Sequence, residues 1–451
     1  ESRAARPGRL AAEAQAVAER QPQLSLLLAA EALNVTLDAG EPNVPVAEQT
    51  IRAGLARIGG RGLFGQGGAV NALAVSADGR TLVTGGGDGV VLVWDLSAPD
   101  AAPTRLTAGA PVTLVALSPD ARWLAASGED PATLQLWDLS APGAPRALSG
   151  HTDRINALVM SADGSLVASG SADGTVLVWR TADPSAGPVV LAPRGARSAV
   201  NAVALSADGT WVLTAGQDGI SRLWRMSEPT SPQFTQDRRG PLSSAAISPD
   251  GRWLVTGSVD GDAHLWELTS SGFGSQPYVL RGRGNPITTL AIDPSSRQVA
   301  SGTANGTVRL WELRAEQNPS PVAELRGHTD RITALVFSPD STRLLSGSAD
   351  GTASLWDRTA QDPGTTQVVL RGHEQALNAA AISGDGRLVV TGSADGSARV
   401  WELAAPLPDP AQLELPAPEL IEMACTVAGR NMTREEWERY LPGQEFRPTC
   451  T

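Results

Sequence analysis

Gly170-Ser171-Ala172-Asp173-Gly174-Thr175-Val176-Leu177-Val178-Trp179 reads as a strand end, a tight Asp-Gly turn and a second strand ending on an aromatic. A turn dipeptide between β-prone runs is a strong hairpin signal. The stretch recurs. Gly-Ser-Ala-Asp-Gly returns at 347–351 and 392–396, each time five residues before a tryptophan. Looser copies fill the gaps. Tryptophan stands at 94, 137, 179, 224, 266, 311, 356 and 401, spaced 42 to 45 residues apart. Ser or Thr stands ten residues before each one: Thr84, Ser127, Ser169, Thr214, Thr256, Ser301, Ser346 and Thr391. Six residues before it stand Asp88, Asp173, Asp218, Asp260, Asn305, Asp350 and Asp395; only the second repeat differs, with Pro131.

A 40–45 residue period ending on Trp marks a four-stranded propeller blade. The residue after each Trp is Asp95, Asp138, Arg180, Arg225, Glu267, Glu312, Asp357 or Glu402, and Gly-His precedes three repeats at 150–151, 327–328 and 372–373. On these columns residues 61–415 resemble the WD40 repeat family. The resemblance implies an all-β, eight-bladed propeller with short helical extensions at both ends. It also implies a hydrogen-bond relay in the three Gly-His repeats: His151/Ser169/Asp173/Trp179, His328/Ser346/Asp350/Trp356 and His373/Thr391/Asp395/Trp401. These sets look like His-Ser-Asp catalytic groups on paper, but a set that repeats in blade after blade fastens each blade. The other repeats carry Gln66, Gly109, Ala196, Arg238 and Arg283 at the histidine spacing, so those blades are expected to be held more by apolar packing.

Within a repeat, Val70–Val75, Leu82–Gly85 and Val90–Trp94 are the first three strands of blade one, with a fourth near Thr104–Leu106. Apolar runs such as Ile155–Met160 and Ile332–Phe337 suit strands buried on both faces. Trp123, Trp211 and Trp253 open second strands and are read as packing between blades. Two segments compete to complete the last blade, Gly62–Gly65 and Gln412–Leu415. The first is favoured, because joining the two ends protects exposed strand edges.

The chain has 451 residues and a net charge of −12, which argues against general nucleic-acid affinity. Its 36 basic residues are all Arg. Without Lys there is no Walker A loop and no Schiff-base lysine. No apolar run approaches the roughly 20 residues needed to span a bilayer. Residue 1 is Glu and the first Met is Met160, so the chain reads as a piece of a longer polypeptide.

Residues 1–60 read as a helical linker or collar. Candidate helices are Arg9–Arg20, Pro22–Leu33 and Pro45–Ile58, with 34–44 as a loop. Residues 416–451 read as a helical tail. Pro418–Ala428 is one helix, and Thr433-Arg434-Glu435-Glu436 is a capping box opening a second at Trp437–Leu441. Cys425 and Cys450 either pair or stay free; zinc is disfavoured, with no CxxC and no nearby His. The run from Cys425 through Ala428-Gly429-Arg430-Asn431, Glu436-Trp437 and Tyr440-Leu441 to Arg447-Pro448-Thr449-Cys450 resembles the terminus of bacterial STAND/NACHT–WD40 multidomain proteins. The Leu-rich N-terminal stretch resembles the segment before the propeller in such proteins.

The resemblance implies a non-catalytic, protein-binding sensor propeller with no cofactor, no metal and no catalytic residues. It would be cytoplasmic, monomeric as an isolated propeller, and part of a bacterial signalling or defence protein. Its partner is a protein or other domains of its own polypeptide, met through top-face loops or the central channel. The candidate partner-binding residues are Arg194, Arg197, Arg238, Arg239, Arg281, Arg283 and Arg331, with Arg326 beside them. Arginine presents a fork suited to carboxylate or phosphate. An intramolecular scaffold or autoinhibitory domain is the alternative. A propeller enzyme built on His264 is a second alternative, disfavoured because the other three histidines are used structurally.

Overall fold

The computed structural model describes residues 6–18, 21–40, 42, 44–57, 60–98, 101–128, 130–141, 143–192, 198–236, 240–274, 277–314, 320–403, 416–428 and 430–450. Its strands form eight separate antiparallel sheets, the blades of a propeller. Blade one runs Val70–Val75, Thr81–Gly86, Val90–Asp95 and Thr104–Thr107, and the later blades repeat that order. The favoured closure is realised one residue earlier than expected. Arg61–Leu63 pairs antiparallel with Ala398–Glu402, Leu63 opposite Ala398, so the eighth blade is built from both ends of the array. The competing segment 412–415 lies outside the described residues.

The tryptophan column explains why one repeat cannot fold alone. Each of these rings packs against the blade before its own. Trp179 sits with Trp123, Leu134 and Leu136 of blade two. Trp224 sits with Val176 and Val178 of blade three. Trp94 closes the circle among Leu63, Val390 and Val400 of blade eight. Burying a ring of this size stabilises by about 4 kcal/mol, available only once the neighbour is present. Trp123 and Trp253 join two such inter-blade clusters, and Trp211 lies at the edge of a third.

The innermost strands differ from the sequence reading. Asn156–Met160 and three residues of Ile332–Phe337 (Thr333, Ala334 and Val336) are half-buried rather than buried on both faces, as innermost strands beside the central channel. In blades one, three, four, five, six and eight their second residues form a partial polar ring. Asn71 Nδ2 donates to Val112 O at 2.9 Å, Asn156 to Val200 O at 3.0 Å and Asn201 to Leu242 O at 2.8 Å. Ser243 and Thr288 donate to Ile287 O and Ile332 O, both at 2.6 Å. Asn378 donates to Val70 O at 3.0 Å across the closure, so this ring links the last blade to the first.

The terminal segments are one unit. Helices α1 (Arg6–Val17), α2 (Pro22–Ala39), α3 (Pro45–Arg57), α4 (Ala417–Ala428) and α5 (Arg434–Tyr440) share one apolar core that includes Leu10, Leu27, Ile51, Leu420 and Trp437. α2 runs through most of the expected 34–44 loop and stops at Gly40, whose φ of 65° is the left-handed conformation that ends helices. The Thr433–Glu436 capping box is present. Cys425 and Cys450 form a disulfide that ties the last residues to α4.

Candidate interaction surface

In blade three, His151 Nδ1 lies 3.1 Å from Asp173 Oδ2 and Nε2 lies 2.7 Å from Ser169 Oγ. Trp179 stands edge-on to the imidazole, ring centroids 6.3 Å apart. Blades seven and eight carry the chain of bonds through to the indole. His328 spans Asp350 and Ser346 at 3.0 and 2.9 Å, and Trp356 Nε1 donates to Ser346 Oγ at 2.9 Å. His373 spans Asp395 and Thr391 at 3.1 and 2.8 Å, and Trp401 Nε1 donates to Thr391 Oγ1 at 3.3 Å.

Electrostatics set the direction of these bonds. Burial pushes the His151 and His373 imidazoles below their usual range, so they are neutral at pH 7. Burial alone would raise Asp350 and Asp395, but hydrogen bonds from the histidines, Thr352 and Ser397 and from the Thr329 and Glu374 backbone N–H groups hold both carboxyls far below the usual range. A neutral imidazole therefore donates from Nδ1 to the carboxylate and accepts the hydroxyl proton at Nε2. Ser169, Ser346 and Thr391 are wholly buried. A hydroxyl that no substrate can reach is a fastening, not a nucleophile.

Two blades without histidine are not left to apolar packing, which corrects the sequence reading. Gln66 stands in the histidine's place in blade one. Its Nε2 donates to Asp88 Oδ1 at 2.8 Å, Thr84 Oγ1 donates to its Oε1 at 3.1 Å, and Trp94 Nε1 donates to Thr84 Oγ1 at 3.1 Å. An amide carries a donor and an acceptor on one carbon, as a neutral imidazole carries its two nitrogens on one ring carbon. In blade four Arg222, from the third strand, takes Asp218 in two bonds of 3.3 and 2.6 Å. His264 of blade five is buried beside Trp266, ring centroids 5.8 Å apart.

The predicted arginines divide. Arg194, Arg197, Arg238 and Arg239 lie outside the described residues. Arg283 and Arg326 are exposed, at 73% and 69%, and meet at one acid: Glu324 lies 3.9 Å from Arg283 Nη1 and 2.7 Å from Arg326 Nη2. The buried Arg309 reaches the same carboxylate at 3.0 Å. Hydrogen bonds from Arg326 and Arg309 hold Glu324 below the usual range. Arg281 stands 4.0 Å from Asp262. Arg331 is exposed, and its backbone N–H donates to Asp330 Oδ1. Among the described residues no group of three or more His, Cys, Asp or Glu could hold a metal ion.

The family model for the WD domain, G-beta repeat, matches residues 61–95, 145–180, 189–225, 231–267, 274–312, 319–357 and 364–402, more than half of the chain. The chain belongs to the WD40 family. Its WD40 repeats are similar to the small ribosomal subunit protein RACK1y of Oryza sativa subsp. japonica, 36% identical over 125 residues, 26% of this chain and 36% of that protein. RACK1 of Medicago sativa is 36% identical over 135 residues, covering 26% and 41%. The protein groucho of Drosophila melanogaster is 33% identical over 112 residues, covering 24% and 15%. The match therefore spans less than half the length of these curated relatives. Among solved structures, the computationally designed Ika8 protein superposes with a TM-score of 0.61 at 26% identity, over 76% of this chain and all of that one.

The WD40 match skips blade two, the repeat with Pro131 in place of the turn aspartate. There Asp130 Oδ1 accepts from Ala132 N instead, one residue out of register. The sequence reading missed how the WD40 ring holds its helical unit. Gln23 Nε2 donates to Gly372 O at 3.1 Å and Leu24 N donates to Glu374 Oε1 at 3.3 Å. Arg430 lies between Glu436, at 2.7 Å, and Glu374, at 3.6 Å. Arg399, wholly buried in the third strand of blade eight, donates to Gly60 O and to Val427 O at the end of α4. Burial pushes this guanidinium down to about 10. The signal was an arginine two residues before a column tryptophan, amid apolar strand residues.

Proposed function

We propose that this WD40 chain is a non-catalytic binding module, the sensor propeller of a larger bacterial signalling or defence protein of the STAND/NACHT type. The observation that carries the non-catalytic reading is the complete burial of the Ser169, Ser346 and Thr391 hydroxyls inside their relays. The partner is a protein read by the top-face loops, with Arg281, Arg283, Arg326 and Arg331 meeting its carboxylates. The exposure of Arg283 and Arg326 around Glu324, and of Arg281 near Asp262, supports this. Nucleic acid is not a partner, in keeping with the net charge of −12. Charge reversal at Arg283 and Arg326 together lowers capture of a top-face partner by about tenfold or more, the worth of one to two charge-assisted bonds. Undiminished capture in a pull-down or by surface plasmon resonance rejects the top-face reading.

The docking of the helical unit on Gly372 and Glu374 favours a second reading, an intramolecular scaffold or autoinhibitory domain. A cytoplasmic site of action belongs to the main proposal; the Cys425–Cys450 bond, of a kind that persists in oxidising compartments, weighs against it and supplies its test. Alkylation in intact cells finds two free thiols in a reducing cytosol; an oxidised pair moves the chain to an oxidising compartment. Among the described residues no helix is long and apolar enough to cross a membrane.

A further inference from the structure

A cleft of about 1470 Å³ separates the helical unit from the loops of blades seven and eight. Its roof is formed by α1 (Gln15, Ala16), the start of α2, and α3 (Gln49, Thr50, Ala53). Its floor is the Ala349–Thr352 turn of blade seven and the segment from Val369 to Ala376. It is larger than the 300–1,000 Å³ or so of a small-molecule pocket, and its lining mixes polar and apolar side chains.

The charges in the cleft are unevenly used. Asp350 already accepts from His328 Nδ1, Thr329 N and Thr352 N. Glu374 accepts from Leu24 N and faces Arg430. The exposed Arg371, by contrast, makes no side-chain hydrogen bond or ion pair among the described residues, and neither do the exposed amides of Gln15, Gln49 and Gln375. What the cleft offers is one free guanidinium and three free amides, which can each give and take a hydrogen bond as a peptide backbone does.

The strand leading to Arg371 adds a template. Val368–Leu370 is the outer strand of blade seven and pairs on one side only, with Ala353–Asp357. The corresponding outer strand of blade eight, Arg61–Leu63, has α4 packed against it. Among the described residues no strand pairs with the outer side of Val368–Leu370, and Val369 lines the cleft. An open edge recruits an extended chain through its main-chain groups.

We propose that this cleft binds an extended peptide segment of another protein, which adds to the Val368–Leu370 edge and places an acidic side chain on Arg371. The site is separate from the Arg283/Arg326 surface and stands or falls independently of it.

The probe is a fluorescein-labelled octapeptide of alternating Thr and Val with one central Glu, set against the same peptide with Lys. Anisotropy should show the Glu peptide binding about tenfold or more tightly, the two arms differing by a charge-assisted pair. Arg371→Glu should reverse the preference, and Arg283→Glu/Arg326→Glu should leave it unchanged. Hydrogen exchange should show new protection at 368–370. Arg371 is exposed, so its variant keeps the parent melting temperature. Equal affinity for both peptides, indifference to Arg371→Glu, or protection elsewhere overturns the proposal. So does a dimer of the free chain that Arg371→Glu dissolves, which would assign the cleft to a second copy.

Discussion

The relay shows how much one side chain's hydrogen-bonding pattern matters. Gln66 holds Asp88 and Thr84 in blade one as His373 holds Asp395 and Thr391 in blade eight. Gln66→Ala takes the acceptor from the Thr84 hydroxyl and a donor from Asp88, and should cost about 1–3 kcal/mol. Gln66→His should recover most of that, because imidazole spans the same two groups. Urea denaturation of the two variants separates the cases: an alanine variant as stable as the parent would mean that packing alone holds blade one. The histidines also set a pH dependence. His151 and His373 have folded pKa values below the unfolded value, so the unfolded chain takes up protons first on acidification. Stability is full above about pH 6.5 and falls as pH drops below it. A second loss follows below about pH 4, where the unfolded chain protonates carboxylates that Asp350 and Asp395 keep ionised when folded. Melting temperatures across pH 7.5 to 5 should fall less in His151→Gln than in the parent; parallel curves would exclude His151 from the first step.

At the scale of elements, the C-terminal strap determines whether the helices stay together. Cys450 is bonded to Cys425 of α4, and Asn431 accepts from Cys450 N at 2.6 Å. Arg447 reaches the buried Glu31 of α2 at 2.9 Å, and Asn34 donates to Thr449 O at 3.0 Å. Burial pushes Glu31 above the usual range, with Arg447 opposing it. Removing the strap therefore exposes more than a loop: it leaves a buried carboxyl without its cation. Closing a loop of 25 residues is worth about 3 kcal/mol of denatured-state entropy. Cys425→Ser/Cys450→Ser should lose about that much from the helical unit while the blades keep their protection. Hydrogen exchange resolved by segment checks this. Faster exchange in α2 and α4 with unchanged exchange at the Trp column is the expected pattern; uniform loosening of blades and helices would show one cooperative unit.

At the scale of the molecule, the seam of the ring and the seat of the helices are the same place. Gly60 lies under Trp401 with φ of 76°, where an added Cβ would come within 2.7 Å of the indole. It also accepts from Arg399, which in turn holds α4. Gly60→Ala should thus strain the closing strand and the helical seat together, costing about 2 kcal/mol or more for left-handed backbone and steric overlap combined. Scanning calorimetry should show the seam variant melting earlier than Gly40→Ala, where the added Cβ meets open space. Equal shifts would mean that the left-handed backbone, not the contact with Trp401, carries the cost.

The repeat period, the eight tryptophans, the Ser/Thr and turn-Asp columns and the closure of blade eight from the N-terminal side were all legible in the sequence. Each is a local pattern multiplied by the repeat, and a blade's strands are joined by short turns. The substitutes for histidine were not legible. Gln66 looked like a missing partner, and Arg222 comes from a strand rather than a loop, so which donor meets each aspartate depends on backbone placement. The joining of residues 6–57 with 416–450 into one apolar core was not legible either. Both halves show ordinary amphipathic helices, and nothing local states that chain segments some 360 residues apart lie side by side. Only closure of the ring brings them together. The cleft beneath them exists because α4 and the start of α2 touch blade eight while α1 and α3 overhang blade seven. Local periodicity determined the blades; long-range closure decided where the helices sit and which surface they leave open.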